Sequence, residues 1–154
     1  MPCKLTDISP ANLSDEPAKE VAPNSQQPLF YGLHAGFPAP VGDNANSIDL
    51  TREIVRHPES TFYARITGDS MQDAGIFDGD IVVIDRSLEA RDGNFVAAFI
   101  DGEFAIKEFL ADPANRCAWL IAPNPQYPPI RVSADNDFTI WGVVTHNLHP
   151  LIHL

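Results

Sequence analysis

Residues 66 to 85, ITGDSMQDAGIFDGDIVVID, constrain this chain more than any others. They hold three of its nine glycines and end in an apolar run. Gly68 and Asp69 stand immediately before Ser70, where a chain leaving one element for another needs permissive backbone angles. Ser70 can then open a short segment as a helix N-cap, with Asp73 three residues on at a spacing close to a capping box. Asp78-Gly79-Asp80 closes that segment, and Ile81 to Ile84 predicts a buried strand. A serine on a tight turn, among glycine and backbone N–H groups, also has the layout of a nucleophile beside an oxyanion site. A capping serine is the commoner occupant of such a place. The stretch by itself leaves both readings open.

At 154 residues the chain has the size of one domain with a tail, and 44% hydrophobic residues suffice for a packed core. Ten basic residues against 21 acidic ones give a net charge of −11, with no cluster of Lys and Arg. Such a surface repels phosphate backbones, which argues against direct duplex binding. Cys3 and Cys117 do not make a disulfide framework, and no ligand spacing marks a zinc site. The first residues lack a basic and then apolar leader, and no apolar run has the length of a membrane span. The cytoplasm is the expected compartment.

Residues 1 to 28 carry Pro2, Pro10, Pro17, Pro23 and Pro28 among polar residues. No helical or strand period survives there, so the segment reads as an arm with little structure of its own. It is also too short and too broken by proline for a helix-turn-helix domain. Leu29 to Phe37 is a sudden apolar and aromatic strip, stopped by Pro38. It suits an edge strand, a docking strip or a peptide that lies in a protease cleft, and edge strand is the ordinary reading. Ser47 to His57 has loosely helical spacing and predicts a short helix or turn before Pro58.

Thr61 to Ile66 alternates like a strand and delivers the chain to Gly68-Asp69-Ser70. Phe95 to Ile100 and Glu103 to Phe109 are β-prone runs joined at Asp101-Gly102, a strong hairpin signal. Lys107, inside the second run, is by itself an ordinary solvated edge lysine. Trp119 to Ala122, Ile130 to Val132 and Phe138 to Thr145 complete a predominantly β pattern, interrupted by the loop Pro123 to Pro129. His146, His149 and His153 lack a carboxylate partner in a recognised ligand pattern, so they read as a solvated tail rather than a metal site.

Ser70 and Lys107 gain meaning from their contexts taken together. Gly68-Asp-Ser-Met71, Gly75-Ile-x-Asp-Gly-Asp80 and Asp101-Gly-Glu-Phe-x-x-Lys107 follow one another, with 37 residues from Ser70 to Lys107. In this the chain resembles the LexA/UmuD family of self-cleaving serine peptidases, of the S24 type. The resemblance runs from about Pro28 to His146 and takes in Leu29-Phe30, Gly36-Phe-Pro38, Ile48-Asp-Leu50, His57-Pro58, Gly102-Glu-Phe104 and Gly142-Val-Val144.

The resemblance implies a mainly β fold: a flexible N-terminal arm, residues 1–35, and a compact peptidase domain of short twisted strands, residues 36–154. It implies Ser70 as nucleophile, Lys107 as base, the backbone N–H groups of Asp69 and Ser70 as oxyanion donors, and a cut between Ala35 and Gly36. Ala-Gly is the LexA form of that junction, where UmuD-like proteins typically carry Cys-Gly; both residues before the cut are small. The arm is longer than the family leads one to expect. No cofactor and no metal are implied. The implied partners are a second copy in a homodimer, a RecA filament on single-stranded DNA as co-protease, and a Y-family (UmuC-like) polymerase subunit that residues 36–154 would join. Direct duplex DNA binding and membrane attachment are not expected.

The chemistry is consistent with the residue types. Lysine, with a reference pKa of about 10.4, is protonated at pH 7. Burial beside Ala105 and Phe109 would lower it and leave a neutral amine able to take the Ser70 proton. A LexA-type repressor is a rival reading, but its DNA-binding domain is not found in these residues. A signal peptidase shares Ser-Lys chemistry but needs a membrane anchor. A non-catalytic dimeric adaptor that retains the fold is the rival from another class.

Overall fold

The computed structural model describes residues 4–10, 27–30 and 45–152. The chain divides into two compact units, Leu13–Arg56 and a larger one of Met1–Asn12 with His57–Leu154.

In the smaller unit, Gln27–Phe30 (β2) pairs antiparallel with Ala45–Ile48 (β3), and Leu50–Ile54 (α1) follows. The apolar strip that begins at Leu29 thus contributes a strand as expected, while its continuation through Ala35 and Gly36 lies outside the described residues. The helix is shorter than the spacing from 47 to 57 suggested. Its start is fixed by the Asp49 side chain, which accepts from the Arg52 N–H at 3.2 Å. Val55 is already extended.

The larger unit is one antiparallel sheet, and the fold is mainly β as the sequence predicts. Its eight strands are Lys4–Pro10 (β1), Thr61–Thr67 (β4), Ile81–Asp85 (β5), Phe95–Ile100 (β6), Glu103–Asp112 (β7), Cys117–Ile121 (β8), Ile130–Val132 (β9) and Phe138–Leu148 (β10). They lie in the order β1-β4-β5-β10-β6-β7-β8-β9. A further pairing of β1 with β7, Lys4 opposite Ala105, closes six of them into a ring. The outer edge of β7 is therefore shared: β1 meets it at Ala105, and β8 takes it from Glu108 to Asp112.

The β6–β7 hairpin turns on two residues, as Asp101-Gly102 predicts. Both have left-handed angles, φ 48° and 86°, the geometry of a tight turn whose twist matches its strands. Successive β6 residues feed opposite cores. Ala97 joins Ala64, Ile66, Met71, Ile84 and Ile106 on one side, and Val96 and Ala98 join Leu120 and Val132 on the other. Burial of both faces explains why this strand reads as a continuous apolar run. β10 serves two neighbours, β6 with its first half and β5 with its second, and shifts register between Ile140 and Gly142 and between Val144 and His146. Such irregularities bend a strand, which lets one segment serve both partners.

Two strands are absent from the sequence reading: β1, in a segment with little predicted structure, and β3, whose Ser47 and Ile48 stand where the helical spacing predicts the start of the short helix. Residues 4–10 show no alternation, and their pairing comes from the edges of β4 and β7 rather than from an intrinsic pattern.

Candidate active site

β4 ends at Thr67 and the chain turns at Gly68, whose φ of 100° suits glycine. The Gly68 N–H donates to Asp78 Oδ1 at 2.8 Å. At the base of the loop the Ile66 N–H donates to the Asp80 carbonyl at 2.8 Å and the Gly79 N–H to the Ile66 carbonyl at 2.9 Å. The loop is thus pinned where it leaves and where it returns, and Met71 and Ile76 sink into the core between. The short segment after Ser70 is a 3₁₀ turn, Gln72–Ala74. Met71, not Ser70, occupies its N-cap position, and no side chain caps it. The capping role is therefore not the one Ser70 fills.

Ser70 is wholly buried and meets Lys107, which is only 4% exposed. Lys107 Nζ donates to Ser70 Oγ at 3.2 Å, across 37 residues of sequence. Lys107 stands opposite Val96 of β6 and beside fully buried Ile106, in the part of β7 between its β1 and β8 pairings. A strand lysine is ordinarily solvated; this one is buried with its amine against Ser70.

Asp69 and Ser70, the expected oxyanion donors, both lie on the turn. The Asp69 side chain accepts from the Tyr127 hydroxyl at 2.7 Å, and this bond holds its carboxyl below the ordinary carboxylate range. The Tyr127 ring lies 5.9 Å from Lys107 Nζ. In the sequence Tyr127 is marked only as part of a proline-rich loop. Ala35 and Gly36, the expected cleavage junction, lie outside the described residues.

Apart from this site, His57, Asp85 and Ser87 have the residue types of a serine–histidine–aspartate triad but not its geometry. Asp85 Oδ2 and Ser87 Oγ both approach the same ring nitrogen, Nδ1 of His57, at 2.6 and 3.1 Å. Ser87 and Ser60 hydroxyls both donate to Asp85 Oδ1, at 2.6 and 3.1 Å. A triad needs the imidazole to bridge its partners through different nitrogens, so this group is a brace around a buried carboxylate. The histidines near the end of the chain also differ from a merely solvated tail: His149 Nδ1 lies 2.6 Å from Asp80 Oδ1. His153 lies outside the described residues. Among those residues, no three His, Cys, Asp or Glu side chains converge as metal ligands.

A β domain that buries a serine against a lysine fits a serine hydrolase in which an amine stands where an imidazole more often does. Residues 28–145 match the family described as Peptidase S24-like. The chain is 42% identical over 123 residues to Protein MucA of Salmonella typhimurium, spanning 77% of this chain and 82% of that one. It is 38% identical over 125 residues to Protein ImpA of Shigella flexneri, spanning 80% and 83% of the two chains. It is 34% identical over 129 residues to the LexA repressor of Pseudomonas chlororaphis, spanning 82% and 63%. The chain belongs to the S24-like peptidases, the LexA/UmuD family of self-cleaving serine peptidases. Among its described residues no helix is long and apolar enough to cross a membrane.

Proposed function

We propose that this chain is a UmuD-like damage-response protein that cuts itself between Ala35 and Gly36, with Ser70 as nucleophile and Lys107 as general base. The observation that carries the reading is the buried contact between Lys107 Nζ and Ser70 Oγ at 3.2 Å. Burial strips solvent from an ammonium and so disfavours its charged form. A neutral Lys107 has a lone pair for the Ser70 proton. Ser70 Oγ then attacks the Ala35 carbonyl carbon, and the backbone N–H groups of Asp69 and Ser70 receive the developing oxyanion. The C–N bond to Gly36 breaks as Lys107 returns the proton to the Gly36 nitrogen. A water molecule, deprotonated by Lys107, hydrolyses the Ala35 ester, releases residues 1–35 and restores Ser70.

The apolar strip around the junction gives the segment a means of docking as an added strand that excludes water from the site. In this reading a RecA filament on single-stranded DNA is the co-protease. The product, a homodimer of residues 36–154, joins a Y-family polymerase subunit, and all of this takes place in the cytoplasm. Kinship to MucA, ImpA and LexA supports that setting. The test is intact-mass analysis and N-terminal sequencing after incubation with RecA filament. The expected product begins Gly36-Phe37-Pro38; a different terminus refutes the Ala35–Gly36 junction, and no product refutes the reading and leaves a non-catalytic adaptor.

A further inference from the structure

The loop between β8 and β9 is built to present one side chain to the site. Pro123, Pro125, Pro128 and Pro129 each fix a backbone angle there. Asn124 is buried; its Oδ1 accepts from the Gln126 N–H at 3.0 Å, and its carbonyl accepts from the Tyr127 N–H at 3.1 Å. Tyr127 emerges from this braced turn half-buried, packed against the core that holds Met71 and Ile106. Those residues are the chain neighbours of Ser70 and Lys107. The ring faces Lys107 Nζ at 5.9 Å, and the hydroxyl ends on Asp69 Oδ1 at 2.7 Å, 58 residues away in sequence. One side chain thus touches the turn that carries the serine and borders the lysine.

We propose that Tyr127 is a positioning residue for self-cleavage, acting through Asp69; this rests on Ser70 and Lys107 being the catalytic pair. Asp69 lies on the turn whose backbone N–H groups receive the oxyanion. Its carboxylate is exposed and negative, one residue from the place where negative charge develops. A carboxylate here that turns toward the oxyanion brings like charge to it and loosens the turn. The Tyr127 hydroxyl ties the Asp69 carboxylate to a separate, proline-braced segment. Gly68 N–H to Asp78 Oδ1 and Gln72 N–H to the Asp69 carbonyl, at 2.8 and 3.1 Å, hold the turn from within its own loop. The tyrosine bond adds a tie across the site. The ring meanwhile covers the lysine, which keeps water from the amine.

The test measures self-cleavage against pH in the full chain for the parent, Tyr127→Phe, Asp69→Ala and the double variant, with Ser70→Ala as control. Tyr127→Phe keeps the ring and removes the hydroxyl. It is expected to slow cleavage by about tenfold, a modest share of what a small misplacement of catalytic groups can cause. The pH at which the rate is half-maximal should stay put, because the hydroxyl works on Asp69 and not on Lys107. The double variant should be no slower than Asp69→Ala, since the two residues act as one unit. A parent rate in Tyr127→Phe overturns the proposal, as do fully multiplicative losses in the double variant. So does a shift of the pH profile in Tyr127→Phe, which places the hydroxyl's effect on the lysine. A parent chain that fails to cleave, or a Ser70→Ala chain that cleaves, refutes the catalytic pair itself and removes the proposal with it.

Discussion

His149 and Asp80 are 69 residues apart in sequence and meet at 2.6 Å, Nδ1 to Oδ1. The histidine ring also lies against Phe77, centroids 4.9 Å apart. The other Asp80 oxygen accepts from the Phe77 N–H at 2.9 Å and from Asn147 Nδ2 at 2.8 Å. One buried carboxylate therefore ties the end of β10 to the loop that begins at Ser70. Asp80→Ala removes the charged acceptor that these donors share, and a hydrogen bond to a charged group contributes about 1.5–3 kcal/mol. Urea unfolding should show Asp80→Ala among the most damaging substitutions in this loop. His149→Ala, which removes a partly exposed ring, should cost much less. Equal losses would contradict the assignment of Asp80 as the hub.

Asp80 and Asp85 also set an acid limit on stability. Burial alone would raise both carboxyls. For Asp80 the Phe77 N–H, His149 and Asn147 outweigh it, and for Asp85 Ser87, His57 and Ser60 do so, leaving both below the ordinary carboxylate value. A carboxyl lowered in the folded state is protonated first in the unfolded chain. Its contribution is therefore complete above about pH 4 and declines as pH falls through the folded-state value. Asp85→Asn lacks its share. The stability gap between parent and Asp85→Asn should narrow as pH falls below about 4, and a gap constant with pH would refute the argument.

Gly102 tests the hairpin that carries Lys107. A methyl group added there meets nothing within 4 Å, so its effect is purely one of backbone angle at φ 86°. Gly102→Ala should cost about 1–2 kcal/mol, the penalty for an L residue in the left-handed region. Thermal unfolding measures it, and an unchanged midpoint would contradict the turn geometry.

How far the residues reveal this molecule depends on the range of the interaction. Asp101-Gly102 announces its turn because the angles are local, and β4, β9 and the core of β5 follow from alternation or apolar runs over a few residues. β1 escapes because its partners, β4 and the middle of β7, are 50 or more residues distant and leave no period in Lys4–Pro10. Ser70 and Lys107 look ordinary singly, a capping serine and an edge lysine. Only their joint spacing with the flanking glycines and aspartates marks them. Tyr127 has no such flanking pattern, since prolines signal a loop and not what the loop faces.

Residues 36–154 hold 8 basic and 17 acidic side chains, a net charge of −9. The processed chain should therefore have no appreciable duplex affinity of its own, and any association with DNA should come through partners. Fluorescence anisotropy against labelled duplex at two salt concentrations tests this. Micromolar, salt-dependent binding would contradict it, because such binding requires clustered cations.

The most direct measurement of the central claim, that Lys107 activates Ser70 against the Ala35–Gly36 bond, is self-cleavage rate against pH in the parent, Ser70→Ala and Lys107→Ala. Lys107→Ala removes a buried amine and should remain folded, as circular dichroism will show. The parent rate should rise with pH as the amine loses its proton, and both variants should yield no product beginning at Gly36 at any pH. Cleavage by folded Lys107→Ala at the parent rate would contradict the account.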